Sequence, residues 1–193
     1  MIFQSCTDSK NNNGRNTETD STAYLEEISS DEDTTQAGAS TFFMKAADAG
    51  MAEVEFGKLA QQAAKNKDVK DFAAQMVKDH SKSNEELKAL AASKNVQLSP
   101  VISNVFQGQL TDLSSKTGEE FDRQYMDLMM KHHMDAIALF EETSKNEKDP
   151  DVKAFATKTL PVLKAHHQKA EPIATKYKQQ QSNGNPSRVN TTN

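Results

Sequence analysis

The stretch YMDLMMKHHMDAIALF at 125–140 decides how this chain folds. Met126, Met129, His133, Ala136 or Ile137, and Phe140 recur at spacings of three and four. That is the period of a helix with one buried face. His133 falls inside the apolar stripe, and a polar imidazole there must find a partner once buried. Three more helices can be read in the chain, and each carries one polar residue at a similar place in its stripe.

The first helix is expected over 41–66, with Thr41 as N-cap. Phe42, Ala46, Ala49, Phe56, Ala60 and Ala63 share its face, and Glu53 is the charged member of that face. A tight connection at Lys65-Asn66-Lys67 leads to a second helix over 68–95. Its stripe is Val69, Phe72, Met76, Ser83, Leu87 and Leu90, with His80 among them. A long connection follows over 96–116. Ile102, Val105, Phe106, Leu110 and Leu113 mark a short amphipathic helix within it. The third long helix is expected over 117–146. The fourth begins near Asp149-Pro150, where proline is tolerated in the first turn. It continues through Val152, Phe155, Leu163, His166, Ala170 and Ile173 to about Tyr177. Pro161 inside it should kink or loosen the ladder.

Short loop, long connection, short loop is the ferritin-like order: two helical hairpins joined by a crossover. The fold class is therefore all-α, a four-helix bundle with an extra short helix. DVKDFAAQMV at 68–77 echoes DVKAFATKTL at 151–160, and each opens the second helix of its hairpin.

Composition agrees. The 193 residues include no Trp, 7 Gly and 5 Pro. Such a chain, rich in Ala, Lys, Glu and Asp, favours helices over sheets. The net charge is −5 and unevenly spread. Over residues 7–40 acids outnumber bases eight to two, so the remainder is close to neutral. No basic stripe exists for a nucleic acid to bind. Residues 7–40 read as a disordered acidic tether, residues 41–178 as the bundle, and 179–193 as a disordered polar tail.

Cys6 is the single cysteine, so no internal disulfide can form. Phe3-Gln4-Ser5-Cys6 resembles the end of a bacterial lipoprotein signal, where a small residue precedes a lipidated Cys. This makes Cys6 the expected lipidation site and first mature residue. The membrane becomes a partner through that anchor, and the protein is expected to be exported to the cell envelope, in the periplasm or on the outer membrane. The alternative is a cysteine without a role in a floppy tail.

Glu53 lies about 13 residues before the first tight turn and His80 about 13 after it, so both sit roughly 20 Å from that turn. His133 and His166 flank the second turn by about 15 and 17 residues. The four groups thus fall near mid-height and would form a Glu/His3 cluster. Imidazole and carboxylate together suit a transition metal, Zn, Cu, Fe or Ni, with Zn or Cu favoured over a di-iron centre. Glu55, Asp79, Asp127, His132 and His167 lie close enough in sequence to support such ligands or replace them. A lone buried histidine is more often a hydrogen-bonded core residue; four aligned polar groups are what raise the metal reading. Met126, Met129, Met130 and Met134 read as core filler before thioether ligands.

Di-iron bundles use Glu-x-x-His pairs. The residues three before His80, His133 and His166 are Val77, Met130 and Leu163, so that pattern is absent. No phosphate loop, Cys cluster or nucleophile elbow is present. No acid–base constellation stands apart from the candidate ligands, which leans against an enzyme. The alternative function is a metal-free structural or interaction protein whose polar layer fixes bundle register.

GMAEVEFGKLA at 50–60, MVKDHSKSNEEL at 76–87, FDRQYMDLMMKHH at 121–133 and FATKTLPVLKAHH at 155–167 resemble the bacterial domain of unknown function 4142. The resemblance covers about residues 40–177. It implies a ferritin-like fold, export or an outer-membrane location, and recurring histidines at His80, His133 and His166. His132 departs from the acidic residue expected before His133. That swap makes the segment similar to the MxxHHxxA motif of another exported helical family linked to copper. The protein partner is left unknown by both resemblances.

Overall fold

The structure is a computed structural model that describes residues 31–183, with side chains over 37–180. Cys6, most of the acidic tether and the end of the C-terminal tail lie outside the described residues. Five helices make up the described chain: α1 (Asp31–Ala63), α2 (Lys67–Ser93), α3 (Asn104–Ser114), α4 (Gly118–Asn146) and α5 (Pro150–Asn183). None is long and apolar enough to cross a membrane.

Each short connection is defined by its caps. Asn66 closes the first, its side chain accepting from the Asp68 N–H at 2.8 Å. Asp149 closes the second, accepting from Asp151 and Val152 at 2.9 and 3.2 Å, with Pro150 in the first turn. The end of α2 is a Schellman motif. Asn95 adopts a left-handed conformation at φ 58°, and the Val96 N–H reaches back to Ala91 O at 2.9 Å.

Helix directions follow from what meets at each end. The Asp122 carboxylate, near the start of α4, accepts from the Lys65 and Asn66 N–H groups at the α1–α2 turn. At the opposite end Lys94, just past α2, meets Asp149 and Asp151 at 2.7 and 2.8 Å. So α2 and α4 run the same way, and the connection carrying α3 returns along the bundle between them. α1 packs on α2 and α4, α5 packs on α4 and α2, and α3 lies over α1 and α4. This is the ferritin-like arrangement with its crossover, as expected. An antiparallel polar ladder registers α2 against α5. Asp68 meets Lys176, Gln75 meets Lys169, Asp79 meets His166, and Glu86 meets Lys158.

Two helix bounds differ from the sequence reading. α1 starts at Asp31, not Thr41. Ala39 is already buried in the core, so the apolar stripe begins upstream, and Thr41 Oγ1 simply donates to Ala37 O at 2.9 Å inside the helix. α5 continues past Tyr177 to Asn183 and is unbroken through both Pro161 and Pro172.

The core comes in two apolar clusters. One, nearer the α1–α2 turn, gathers Phe56, Phe72, Met76, Phe121, Tyr125, Met126 and Met129. The other, nearer the α4–α5 turn, gathers Phe42, Phe43, Leu87, Phe140, Phe155 and Leu163. The sequence echo is legible here: Val69, Phe72 and Ala73 are buried at the start of α2, as are Val152, Phe155 and Ala156 at the start of α5. Between the clusters lies a layer of buried polar side chains.

Candidate metal centre

The layer takes one residue from each long helix. Glu53 comes from α1, His80 from α2, His133 from α4 and His166 from α5, and all four are buried. The imidazole centroids form a near-equilateral triangle, with sides of 5.6 Å (His80–His133), 5.3 Å (His80–His166) and 5.5 Å (His133–His166). One ring nitrogen from each lies within 4.8 Å of the others, a geometry that could hold a metal ion.

The remaining ring nitrogens fix the tautomers. His133 Nδ1–H donates to the Met129 carbonyl at 2.9 Å, one helical turn back. His166 Nε2–H donates to Asp79 Oδ2 at 2.9 Å. Both acceptors lack protons, so His133 Nε2 and His166 Nδ1 keep bare lone pairs. Those two atoms are buried without a hydrogen-bond partner among the described residues. An outer acceptor holding the non-ligating nitrogen is what metal-bound imidazoles generally have.

Glu53 does not complete the set of mutually close nitrogens. Its Oε2 lies 2.6 Å from His80 Nε2, and its Oε1 lies 3.3 Å from His133 Nδ1. The His80 contact is short enough for an ion pair, yet none of the three atoms Oε1, Oε2 and His80 Nε2 has an aligned hydrogen bond. Proximity here exceeds alignment, so the interaction is electrostatic in the main.

Protonation follows from burial and these neighbours. Burial by itself would raise the Glu53 carboxyl, but His80 and His133 outweigh it and hold it at about 2. Burial pushes His80 down, and Glu53 reverses this to leave it raised. Burial lowers His133, and it pushes His166 to about 4 against the opposing pull of Asp79. At neutral pH Glu53 is a carboxylate, while His133 and His166 are neutral, the form that ligates.

The other sequence candidates separate cleanly. Asp79 is at the site, backing His166, and Gln75 Nε2 braces it at 3.3 Å. Glu55 and Asp127 are not: they turn outward to Lys58 and Arg123 at 2.7 and 3.2 Å. Each is two residues from an inward position, about 200° round its helix. His132 faces α3, its Nε2 3.0 Å from Gln109 Oε1 and its ring between Phe56 and Phe106. His167 is half-buried and stands outside the triangle. Met134 is exposed, while Met126 and Met129 fill the core.

Sequence reasoning missed Gln109 and Tyr125. Gln109 sits one turn after Phe106 in the stripe of α3, where the same search for polar residues in a stripe would have found it. The Tyr125 hydroxyl is buried without a partner among the described residues, and burial raises it well above its usual value, with Glu53 adding to the effect. A tyrosine in an apolar stripe gives no such warning.

Two expectations follow. Asp79→Ala should weaken metal binding by about 10–100-fold, because His166 loses the acceptor that orients it. Competition against a chromophoric chelator measures this, and an unchanged affinity would remove Asp79 from the site. The second concerns pH. An unfolded histidine titrates near 6.5, so between 6.5 and about 4 the unfolded chain takes up a proton that folded His166 refuses. The depressed His166 therefore contributes stability above pH 6.5 that is lost towards pH 4, on the order of 3 kcal/mol. His133 acts in the same direction. Raised His80 contributes fully throughout this window, and the contribution of depressed Glu53 starts to fall only as the pH enters the ordinary carboxylate range near 4.5. The Tm of metal-free protein should fall between pH 7 and 4.5, and less so in His166→Leu; equal falls would refute the assignment.

Comparison with known proteins completes the picture. No curated protein matches the chain in sequence. Among solved structures, a DUF305 fragment from Deinococcus radiodurans superposes with a TM-score of 0.64 at 14% identity, covering 72% of this chain and 96% of that one. A DUF305 protein from Streptomyces coelicolor, described as a candidate secreted protein, superposes with a TM-score of 0.61 at 12% identity, covering 75% and 92%. At such identities the likeness carries the fold alone. The sequence itself is more specific: residues 26–173 match the domain of unknown function DUF4142, which covers the bundle as far as Ile173 in α5 and includes all four polar residues of its central layer, and the chain belongs to that family.

Proposed function

We propose that this protein is an exported metal-binding bundle that holds one transition-metal ion, Zn or Cu, at mid-height between its two hairpins. One observation carries the reading. Three buried imidazoles on three helices converge, and in His133 and His166 the nitrogen not needed for ligation is already held by an acceptor. Glu53 supplies the compensating negative charge beside them. An all N/O donor set of this kind suits Zn(II) and Cu(II). The lack of Glu-x-x-His pairs speaks against a di-iron centre.

Calorimetric titration of untagged protein with Zn(II), Cu(II) and, under reducing conditions, Cu(I) tests the reading. One equivalent should bind with Kd below about 10 μM. If all three ions fail, the metal reading falls and the bundle remains.

A second reading has its own support. Glu53 already lies against His80 and His133, so the layer offsets its charge internally. The polar layer would then fix register in a metal-free structural or interaction protein. It predicts no stoichiometric metal.

For location, the reading is a cell-envelope protein in the periplasm or on the outer membrane, tethered to lipid through Cys6. The reading of export rests on the lipoprotein-like run Phe3-Gln4-Ser5-Cys6; a DUF305 protein of the same fold is itself described as a candidate secreted protein. Membrane fractionation of the native protein and a Cys6→Ala variant tests the anchor; equal solubility of the two would dismiss it.

A further inference from the structure

Glu53 does not stand where a fourth ligand would. It meets His133 at Nδ1, the nitrogen whose proton goes to Met129 O, and not at the bare Nε2. It meets His80 at Nε2. Both are contacts of charge rather than aligned hydrogen bonds, and the carboxylate does not join the three nitrogens that lie within 4.8 Å of one another. The protein then supplies three nitrogens and no more. A four-coordinate ion held by three protein ligands takes its fourth from elsewhere, which distinguishes open sites from closed structural ones.

The structure provides the place for it. A cavity of about 570 Å³ reaches the layer, with Glu53, His80 and His166 in its lining. That volume falls within the range of small-molecule sites. Its walls are largely apolar: Ala46, Leu87, Phe106, Phe140 and Leu163 line it. Val105 and Val162, also in the lining, are 69% and 44% exposed, so the apolar surface continues out to solvent. A closed site that served only to join the hairpins would need no such opening.

We propose that the histidine triangle keeps one coordination position for an exchangeable ligand, a small Lewis base with a short apolar body that occupies this cavity. The inference rests on the metal reading above and adds the ligand class to it. The donor head binds the ion, and the tail lies against the apolar walls. Affinity should therefore rise with tail length by up to about fourfold per added methylene, as burial of apolar surface requires.

Co(II) provides the readout, because its visible spectrum reports a change of ligand directly. Co(II)-loaded protein is titrated with 1-methyl-, 1-ethyl- and 1-butylimidazole, first in the parent and then in Ala49→Phe. Ala49 lines the cavity one turn from Glu53 and lies outside the histidine triangle, so the added ring fills the space and spares the ligands. The expected result is a saturable spectral change, tighter with each longer tail, and lost or sharply weakened in Ala49→Phe while Co(II) stoichiometry is retained. Stoichiometric Co(II) with a spectrum indifferent to every base would overturn the inference and leave the metal reading standing. A response independent of tail length and unchanged in Ala49→Phe would overturn it also, since the base would then reach the ion by another route. Absence of Co(II) binding would sink both.

Discussion

Asp122→Ala should destabilise the metal-free protein by about 3–5 kcal/mol, with no loss of metal affinity beyond what partial unfolding causes. Asp122 is 2% exposed, and its two carboxylate oxygens accept from three donors. Lys65 N–H reaches Oδ1 at 2.9 Å, Asn66 N–H reaches Oδ2 at 2.8 Å, and the Tyr177 hydroxyl reaches Oδ2 at 3.3 Å. One side chain on α4 thus ties the α1–α2 turn to the far end of α5. Bonds to a charged acceptor are stronger than neutral ones. Alanine leaves two part-buried turn N–H groups without that acceptor, and a donor stranded from water costs about 1–3 kcal/mol. Asp122→Asn separates charge from geometry. It can still accept one bond, so it should lose about half as much. Urea unfolding measures both variants, and a loss below about 1 kcal/mol for alanine would show that water replaces the carboxylate freely.

Asp122 also marks where sequence reasoning stops. The residue is part of FDRQYMD, and nothing in its spacing announces a role. Its partners lie 55 to 57 positions away and meet it only because the crossover returns α4 to the α1–α2 turn. Short-range pattern cannot carry that. By contrast, the inward faces of Glu53, His80, His133 and His166 follow from helical period, and their common height follows from counting residues to each turn. Both are local quantities, and the structure brings these four side chains into one layer. What counting could not supply is rotation. A helix turned by 100° exchanges His132 for His133 and His167 for His166. Whether Asp79 and Glu55 back the layer depends likewise on how α2 and α1 are turned about their own axes. The start of α1 is hidden for a different reason: the acid-rich composition upstream of Thr41 reads as tether, although Ala39 already belongs to the buried stripe.

The polar layer itself sharpens the choice of variant for the metal. Glu53 contacts His80 and His133, so removing either ring strands a buried carboxylate. Breaking a buried pair in this way costs about 3–5 kcal/mol whether or not metal binds. His166 is different, because its acceptor Asp79 is partly exposed and water can take over. His166→Leu fills similar space with apolar atoms and should fold without metal at nearly the parental Tm. With Zn(II) at about 100 times its Kd, the parent should gain about 2.7 kcal/mol, a Tm rise of roughly 5–10 °C for a domain of this size. An ion held by His80, His133 and His166 draws α2, α4 and α5 into one unit, so the gain belongs to the whole bundle. His166→Leu should lose most of that rise, and His167→Ala, outside the triangle, should keep it. Calorimetric scans of the three proteins with and without Zn(II) decide the matter. A full metal-dependent rise in His166→Leu would mean that the ion binds elsewhere, and the histidine layer would then be a core feature alone.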